Sequence, residues 1–155
     1  ATGNEERIAR RDGRRCVARF ESFRDSGPTR ETVVRPDRAY LVTGGLGWIG
    51  RAVAEWLAEA DAGLIVLNAR RAPDEEASAW IRALRERGSR VEVMLGDVAD
   101  AADVERVLEG IDAHGLALGG IFHAAGILWN GPIDGITREH HRSLQSSKVQ
   151  GTWNL

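Results

Sequence analysis

The sequence predicts an α/β fold, the first half of a doubly wound parallel sheet with strand order 3-2-1-4, preceded by a short β-hairpin. Three observations predict it. From Arg38 onward, apolar runs alternate with amphipathic stretches. The first run ends directly in a glycine cluster. The runs at Tyr40–Val42 and Gly63–Leu67 are apolar throughout rather than alternating, as strands buried on both faces are. Four such βα units imply right-handed crossovers and helices on both faces of one sheet.

The elements follow in order. Arg7–Arg11 and Arg14–Phe20 flank Asp12-Gly13, a dipeptide suited to a turn with positive φ, and so read as a hairpin. Ser26-Gly27-Pro28-Thr29 and Arg35-Pro36-Asp37 mark the link to the main domain. Residues 1–37 are thus expected to be hairpin and linker, and residues 38–155 a nucleotide-binding domain. Tyr40-Leu41-Val42 is the first strand. A helix with Ile49, Val53, Trp56, Leu57 and Ala60 at helical spacing follows. Gly63–Leu67 is the second strand. Pro73-Asp74-Glu75-Glu76 opens the next helix and Gly88 ends it, with Pro and acids placed where the first turn favours them. Val91–Leu95 is the third strand. A helix carrying Val104, Val107 and Leu108 opens at Asp100 or a neighbour and closes near Gly110. Leu118–Phe122 is the fourth strand, and a last helix runs from about Thr137 to the end.

Composition narrows the function. The chain has 155 residues, 43% apolar, with a formal net charge of −2. That near-neutral balance argues against nucleic acid or an anionic membrane as partner. Cys16 is the only cysteine, so no intrachain disulfide forms; a structural thiol in a reducing cytoplasm is the expectation. No apolar run approaches the ~20 residues of a membrane span. His140-His141 beside Glu139 read as solvated, because adjacent helical histidines face different ways and no third metal ligand is suitably spaced.

The chemistry starts at Thr43-Gly44-Gly45-Leu46-Gly47-Trp48-Ile49-Gly50. A G-x-G-x-x-G between a strand and a helix lets the backbone approach a pyrophosphate that faces the helix N-terminus. The second strand then ends in Asn68-Ala69-Arg70-Arg71, where NAD-binding versions place a carboxylate for the ribose 2′-hydroxyl. A guanidinium there suits a 2′-phosphate, so NADPH is expected over NADH. Asp97, after the third strand, has two readings: partner of the adenine amino group, or helix cap. After the fourth strand, Ala124-Ala125-Gly126 are small enough for a nucleotide to lie close. His123 before them reads as a packed histidine.

Taken together, these sites resemble a short-chain dehydrogenase/reductase, and in particular the ketoreductase (KR) domain of a modular polyketide synthase. The residues carrying the resemblance are Tyr40–Gly47, Arg70, Gly96-Asp97-Val98-Ala99-Asp100, His123–Gly126 and Ser147–Leu155. The hairpin is similar to the last strands of the structural subdomain that precedes the catalytic one in that family. The resemblance implies a Rossmann-like domain in which Gly44, Gly47 and Gly50 hold the pyrophosphate, Arg70 the 2′-phosphate and Asp97-Val98 the adenine. It also implies that Lys148 is the catalytic lysine. The implied reaction is NADPH-dependent reduction of a β-ketoacyl thioester on an acyl carrier protein, beside other synthase domains. The family's catalytic serine, tyrosine and asparagine lie past Leu155, so this chain is expected to be an inactive cofactor-binding fragment on its own. Trp129-Asn130 stand where many ketoreductases carry two aspartates tied to one stereochemical outcome. The alternatives are a non-catalytic NADP(H)-binding module and another short-chain reductase.

Overall fold

A computed structural model describes residues 8–19 and 34–155. The chain divides into two units, with the boundary between Glu31 and Thr32. In the first, β1 (Ile8–Arg11) pairs antiparallel with β2 (Arg14–Val17). Asp12 and Gly13, at φ 52° and 74°, make the two-residue turn. Cys16 is exposed. Arg7, Phe20 and the Ser26–Thr29 link lie outside the described residues.

The second unit holds a four-stranded parallel sheet: β3 (Arg38–Thr43), β4 (Leu64–Ala69), β5 (Val91–Leu95) and β6 (Ala117–His123), in the order β5-β4-β3-β6. Counted within the unit this is 3-2-1-4, the expected order. Alternate side chains of β3 point to opposite faces, as the strand period of two requires. Tyr40 and Val42 pack with Leu57, Ile81 and Leu84 from α1 (Trp48–Glu59) and α2 (Glu75–Glu86). Ala39 and Leu41 pack with Val107 and Ile111 of α3 (Ala101–Asp112) on the other face. No helix among the described residues is long and apolar enough to cross a membrane.

The helix ends differ from expectation in small, explicable ways. Asp74 is the N-cap of α2, accepting from the Ala77 N–H at 2.8 Å, so Pro73 precedes the cap instead of opening the first turn. Gly88 at φ 96° does terminate that helix. Helix α3 continues through Gly110 to Asp112. A Cβ on Gly110 would come 3.0 Å from the Met94 sulfur, the flexible end of a side chain, and the left-handed turn falls later, at Gly115. Another glycine, Gly119, sits where the β3–β6 register slips. A Cβ there would meet Arg38 Cβ at 2.8 Å and the Tyr40 ring at 2.9 Å. The bulge thus makes room for the Tyr40 ring, whose hydroxyl accepts from the Arg35 N–H at 2.8 Å.

The last helical stretch changes pitch midway. Thr137 caps α4 (Arg138–Gln145), with His140 closing a capping box. A π-helical turn over Ser146–Gln150 follows, its Ser146 carbonyl accepting from the Gly151 N–H five residues on. Helix α5 (Gly151–Asn154) completes it. His140 is not simply solvated: its ring stacks on Trp129 with centroids 5.0 Å apart. No group of metal-ligating side chains occurs among the described residues.

Candidate functional site

All four parallel strands end at the same edge of the sheet. The chain leaves β3 toward β4 on one side and returns through α3 to β6 on the other, and a crevice opens at such a switch point. Segments that follow each strand wall an open cleft of about 590 Å³. Gly44, Leu46 and Gly47 come from the β3 turn, Ala69 and Arg70 from the end of β4, Asp97 and Val98 from beyond β5, and Ala125 and Gly126 from beyond β6.

The turn lies flat against its neighbours. Gly44 has φ 63°, and a Cβ on it would stand 2.8 Å from both Cα and N of Ala125. Only glycine combines that backbone angle with that approach. Gly47 is the N-cap of α1 and offers no side-chain bond, and no acid occupies the first turn. Helices α2 and α3 are instead capped by Asp74 and Asp100. The first N–H groups of α1 are therefore left for an anion at the cleft, where the helix dipole also favours negative charge.

Side chains that the sequence reading passed over lace the strand ends together. Asn68 is 4% exposed and its Nδ2 donates to the carbonyls of Met94 and Gly96, at 3.2 and 3.1 Å. Its own backbone carbonyl accepts from the Gly45 N–H at 3.0 Å. The signal for it is a lone amide ending an apolar run. Asp103 does the same one segment on: its Oδ2 accepts from the Asp97 N–H at 2.7 Å, and its Oδ1 pairs with Arg106. The Asp97 amide, then Arg106, hold the Asp103 carboxyl below the ordinary carboxylate range. Arg106 in turn donates to the Leu95 carbonyl at 2.9 Å. Asp97 is not the α3 cap, since Asp100 takes that place by accepting from the Ala102 N–H. Its carboxylate accepts from the Ala99 N–H at 3.0 Å and is the sole carboxylate on the cleft wall among the described residues.

The far wall is set by a buried relay. Thr43 is fully buried, and its hydroxyl lies 2.6 Å from His123 Nδ1 and accepts from the Ala125 N–H at 3.3 Å. His123 Nε2 is 2.8 Å from the Ser147 carbonyl. A carbonyl only accepts, so Nε2 carries a hydrogen; when that is the ring's one hydrogen, the Thr43 hydroxyl donates to Nδ1. This fixes His123 as a packed strut between the strand ends and the π turn. Lys148, on that turn, is exposed, and its Cε lies 2.9 Å from where a Cβ on Gly126 would be. The lysine stem thus crosses a residue of the cleft wall.

Of the residues singled out from sequence, Gly44, Leu46, Gly47, Arg70, Asp97, Val98, Ala125 and Gly126 share the wall. Thr43, Gly45 and Gly50 are buried behind it. Ile49 is half exposed on α1, and Ala124 bonds the Thr43 carbonyl through its N–H. Arg70 is exposed and forms no ion pair or hydrogen bond among the described residues.

Residues 38–155 match the KR domain family. Among curated proteins, the chain is 41% identical over 123 residues to a phenolphthiocerol/phthiocerol polyketide synthase of Mycobacterium tuberculosis, covering 79% of the chain and 6% of that protein. It is 38% identical over 126 residues to a hybrid PKS-NRPS synthetase of Aspergillus niger, covering 81% of the chain and 3% of that protein. The chain therefore spans only a small part of these relatives. Among solved structures, a ketoreductase domain from the bacillaene assembly line superposes with a TM-score of 0.78 at 30% identity, covering 95% of this chain and 35% of that one. A gluconate 5-dehydrogenase from Burkholderia cenocepacia, in complex with NADP and tartrate, superposes with a TM-score of 0.66 at 30% identity, covering 79% and 47%.

Proposed function

Because this chain belongs to the KR domain family of polyketide synthases, within the short-chain dehydrogenase/reductase superfamily, we propose that its cleft takes NADPH and serves reduction of a β-ketoacyl thioester on an acyl carrier protein. Neighbouring synthase domains would be its physical partners. The observation that carries the cofactor choice is Arg70. Its guanidinium is unpaired among the described residues and stands at the end of β4, where the NAD-selecting carboxylate is missing. The cleft fits such a group in its other parts as well. The uncapped start of α1 suits the pyrophosphate, and the Gly44–Ala125 contact holds the turn where a phosphate reaches it.

The bound cofactor supplies the hydride, and this chain's residues place it. Asp97 accepts from the adenine amino group, its own loop held by Asp103. Ala125 and Gly126, with no bulk above the backbone, admit the ribose and nicotinamide. Lys148 donates to a ribose hydroxyl beside Gly126, and its positive charge favours the ionised form of a nearby phenol. Proton delivery belongs to the tyrosine that the family pattern places beyond Lys148.

Fluorescence titration of the chain with NADPH and with NADH tests the reading. NADPH binds more tightly, and Arg70→Ala reduces the preference by about five- to tenfold, as for one exposed charge-assisted contact. Equal affinity for the two cofactors, or a preference that Arg70→Ala leaves intact, would overturn it.

A further inference from the structure

A second groove opens beside Arg70. It shares Leu46, Ala69 and Arg70 with the cleft, so the two are continuous. Arg51 and Arg71 also line it, which brings three guanidiniums to one small surface. The only carboxylate on its wall among the described residues, Asp74, is turned to the start of α2, where it caps the Ala77 N–H.

Arg51 differs from the other two in being held still. Its Nε donates to the Leu46 carbonyl at 3.1 Å, its Nη1 meets Glu76 Oε1 at 2.6 Å, and its Cζ lies 5.4 Å from the centre of the Trp80 ring. The side chain is 25% exposed, and Nη2 has no partner among the described residues. Arg70 and Arg71 are exposed and, among the described residues, unpaired. An arginine already oriented loses little freedom on gripping an anion, and its fork presents two donors to a phosphate. Glu76 is 82% exposed, so its hold on Arg51 is the weak kind of ion pair, screened by water.

We propose that Arg51 is a second guanidinium for the 2′-phosphate, and that Glu76 is its built-in competitor, so that the pair sets how strongly the cleft separates NADPH from NADH. The inference rests on the reading of the cleft as an NADPH site and adds a specificity determinant to it. A phosphate monoester carries about −1.5 to −2 charges at neutral pH against one for a carboxylate, so it draws Arg51 from Glu76 or takes Nη2 beside it. NADH brings only a hydroxyl to the same spot and leaves the pair as it stands. Because the Leu46 carbonyl belongs to the glycine turn, Arg51 also ties the groove to the pyrophosphate end of the cleft.

The plain reading is a strut joining α1 to α2, and the ratio of the two affinities separates the possibilities. The 155-residue chain and its Arg51→Gln, Glu76→Gln and Arg70→Ala variants are titrated with NADPH and NADH, with circular dichroism confirming the fold of each. Arg51→Gln weakens NADPH about tenfold and NADH less than about twofold. Glu76→Gln, at an exposed position, tightens NADPH by about two- to fivefold and leaves NADH unchanged. Equal loss of both cofactors in Arg51→Gln would mean that the residue acts only by bracing the turn, and the inference falls. An unchanged ratio in Glu76→Gln removes the competitor. A wild-type chain without preference sinks the NADPH reading and this one together. A wild-type preference that depends on Arg70 but not on Arg51 sinks this one alone.

Discussion

Replacing Thr43 with valine is a sharp test of the relay that positions the far wall. Valine has nearly the same shape, so packing at this fully buried site is preserved while the hydroxyl is lost. Two groups then lose their partner: His123 Nδ1, which lies 2.6 Å from the threonine hydroxyl, and the Ala125 N–H, whose bond at 3.3 Å is the weaker. A buried group left without its partner costs about 1–3 kcal/mol. With the long bond at the low end, the loss is about 3 kcal/mol in all, or a melting temperature lower by roughly 10 °C for a unit of this size. Thr43→Ser keeps the hydroxyl and deletes one methyl, for about 1 kcal/mol. Urea unfolding of the two variants decides the matter through their order. If valine is as stable as serine or more so, the Thr43 hydroxyl contributes nothing and His123 is held by packing and by the Ser147 carbonyl.

Three further outcomes follow from the same geometry. The Asp103 carboxyl is held below its ordinary range by the Asp97 amide and Arg106, so its contribution is complete above the unfolded value of about 3.9 and fades as pH falls through the lower folded value. Protection of the Asp97 amide against hydrogen exchange, relative to its intrinsic rate, should fall in that acidic window in the wild type, and Asp103→Asn should exchange faster than wild type at neutral pH; equal neutral rates would remove Asp103 from the loop. Gly119→Ala drives a Cβ into the Tyr40 ring and should destabilise the chain by about 1–3 kcal/mol in denaturant, whereas a neutral result would mean that β6 can shed its bulge. Asn68→Leu strands the Met94 and Gly96 carbonyls and should cost about 2 kcal/mol while weakening NADPH and NADH alike; an effect on NADPH alone would place Asn68 at the 2′-phosphate instead.

The strands, their order and the glycine turn are legible because each announces itself within a few residues. Apolar runs such as Leu64–Leu67 carry their own length, and Asp12-Gly13, Gly88 and Asp100 mark ends through local backbone chemistry. Asp97 reads two ways in the sequence, and the structure gives the α3 cap to Asp100 instead. What the sequence hides depends on partners far along the chain. Arg51 looks like any solvent-facing residue of an amphipathic helix; its meaning comes from Glu76, Trp80 and Arg70, which α2 and the end of β4 bring alongside. Gly119 reads as a weak strand residue until Tyr40 is laid across it. His140 reads as solvated because its stacking partner, Trp129, sits in an irregular segment that no periodicity predicts.

The π turn at Ser146–Gln150 acts as a phase shifter in the last helical stretch. One extra residue in a turn advances every later side chain by about 100° around the axis, so the outer face of α4 and the face that carries Lys148 and Gly151 need not share a heptad-like pattern. A change of length in this turn reaches the cleft. Gly151 lies so close to Val98 that a Cβ would come within 2.8 Å of its Cγ2, and removing one residue from the turn would bring the side chain of Thr152 into that gap while swinging Lys148 off Gly126. The length of the segment is thus set by two close approaches, of Gly151 to Val98 and of Lys148 to Gly126.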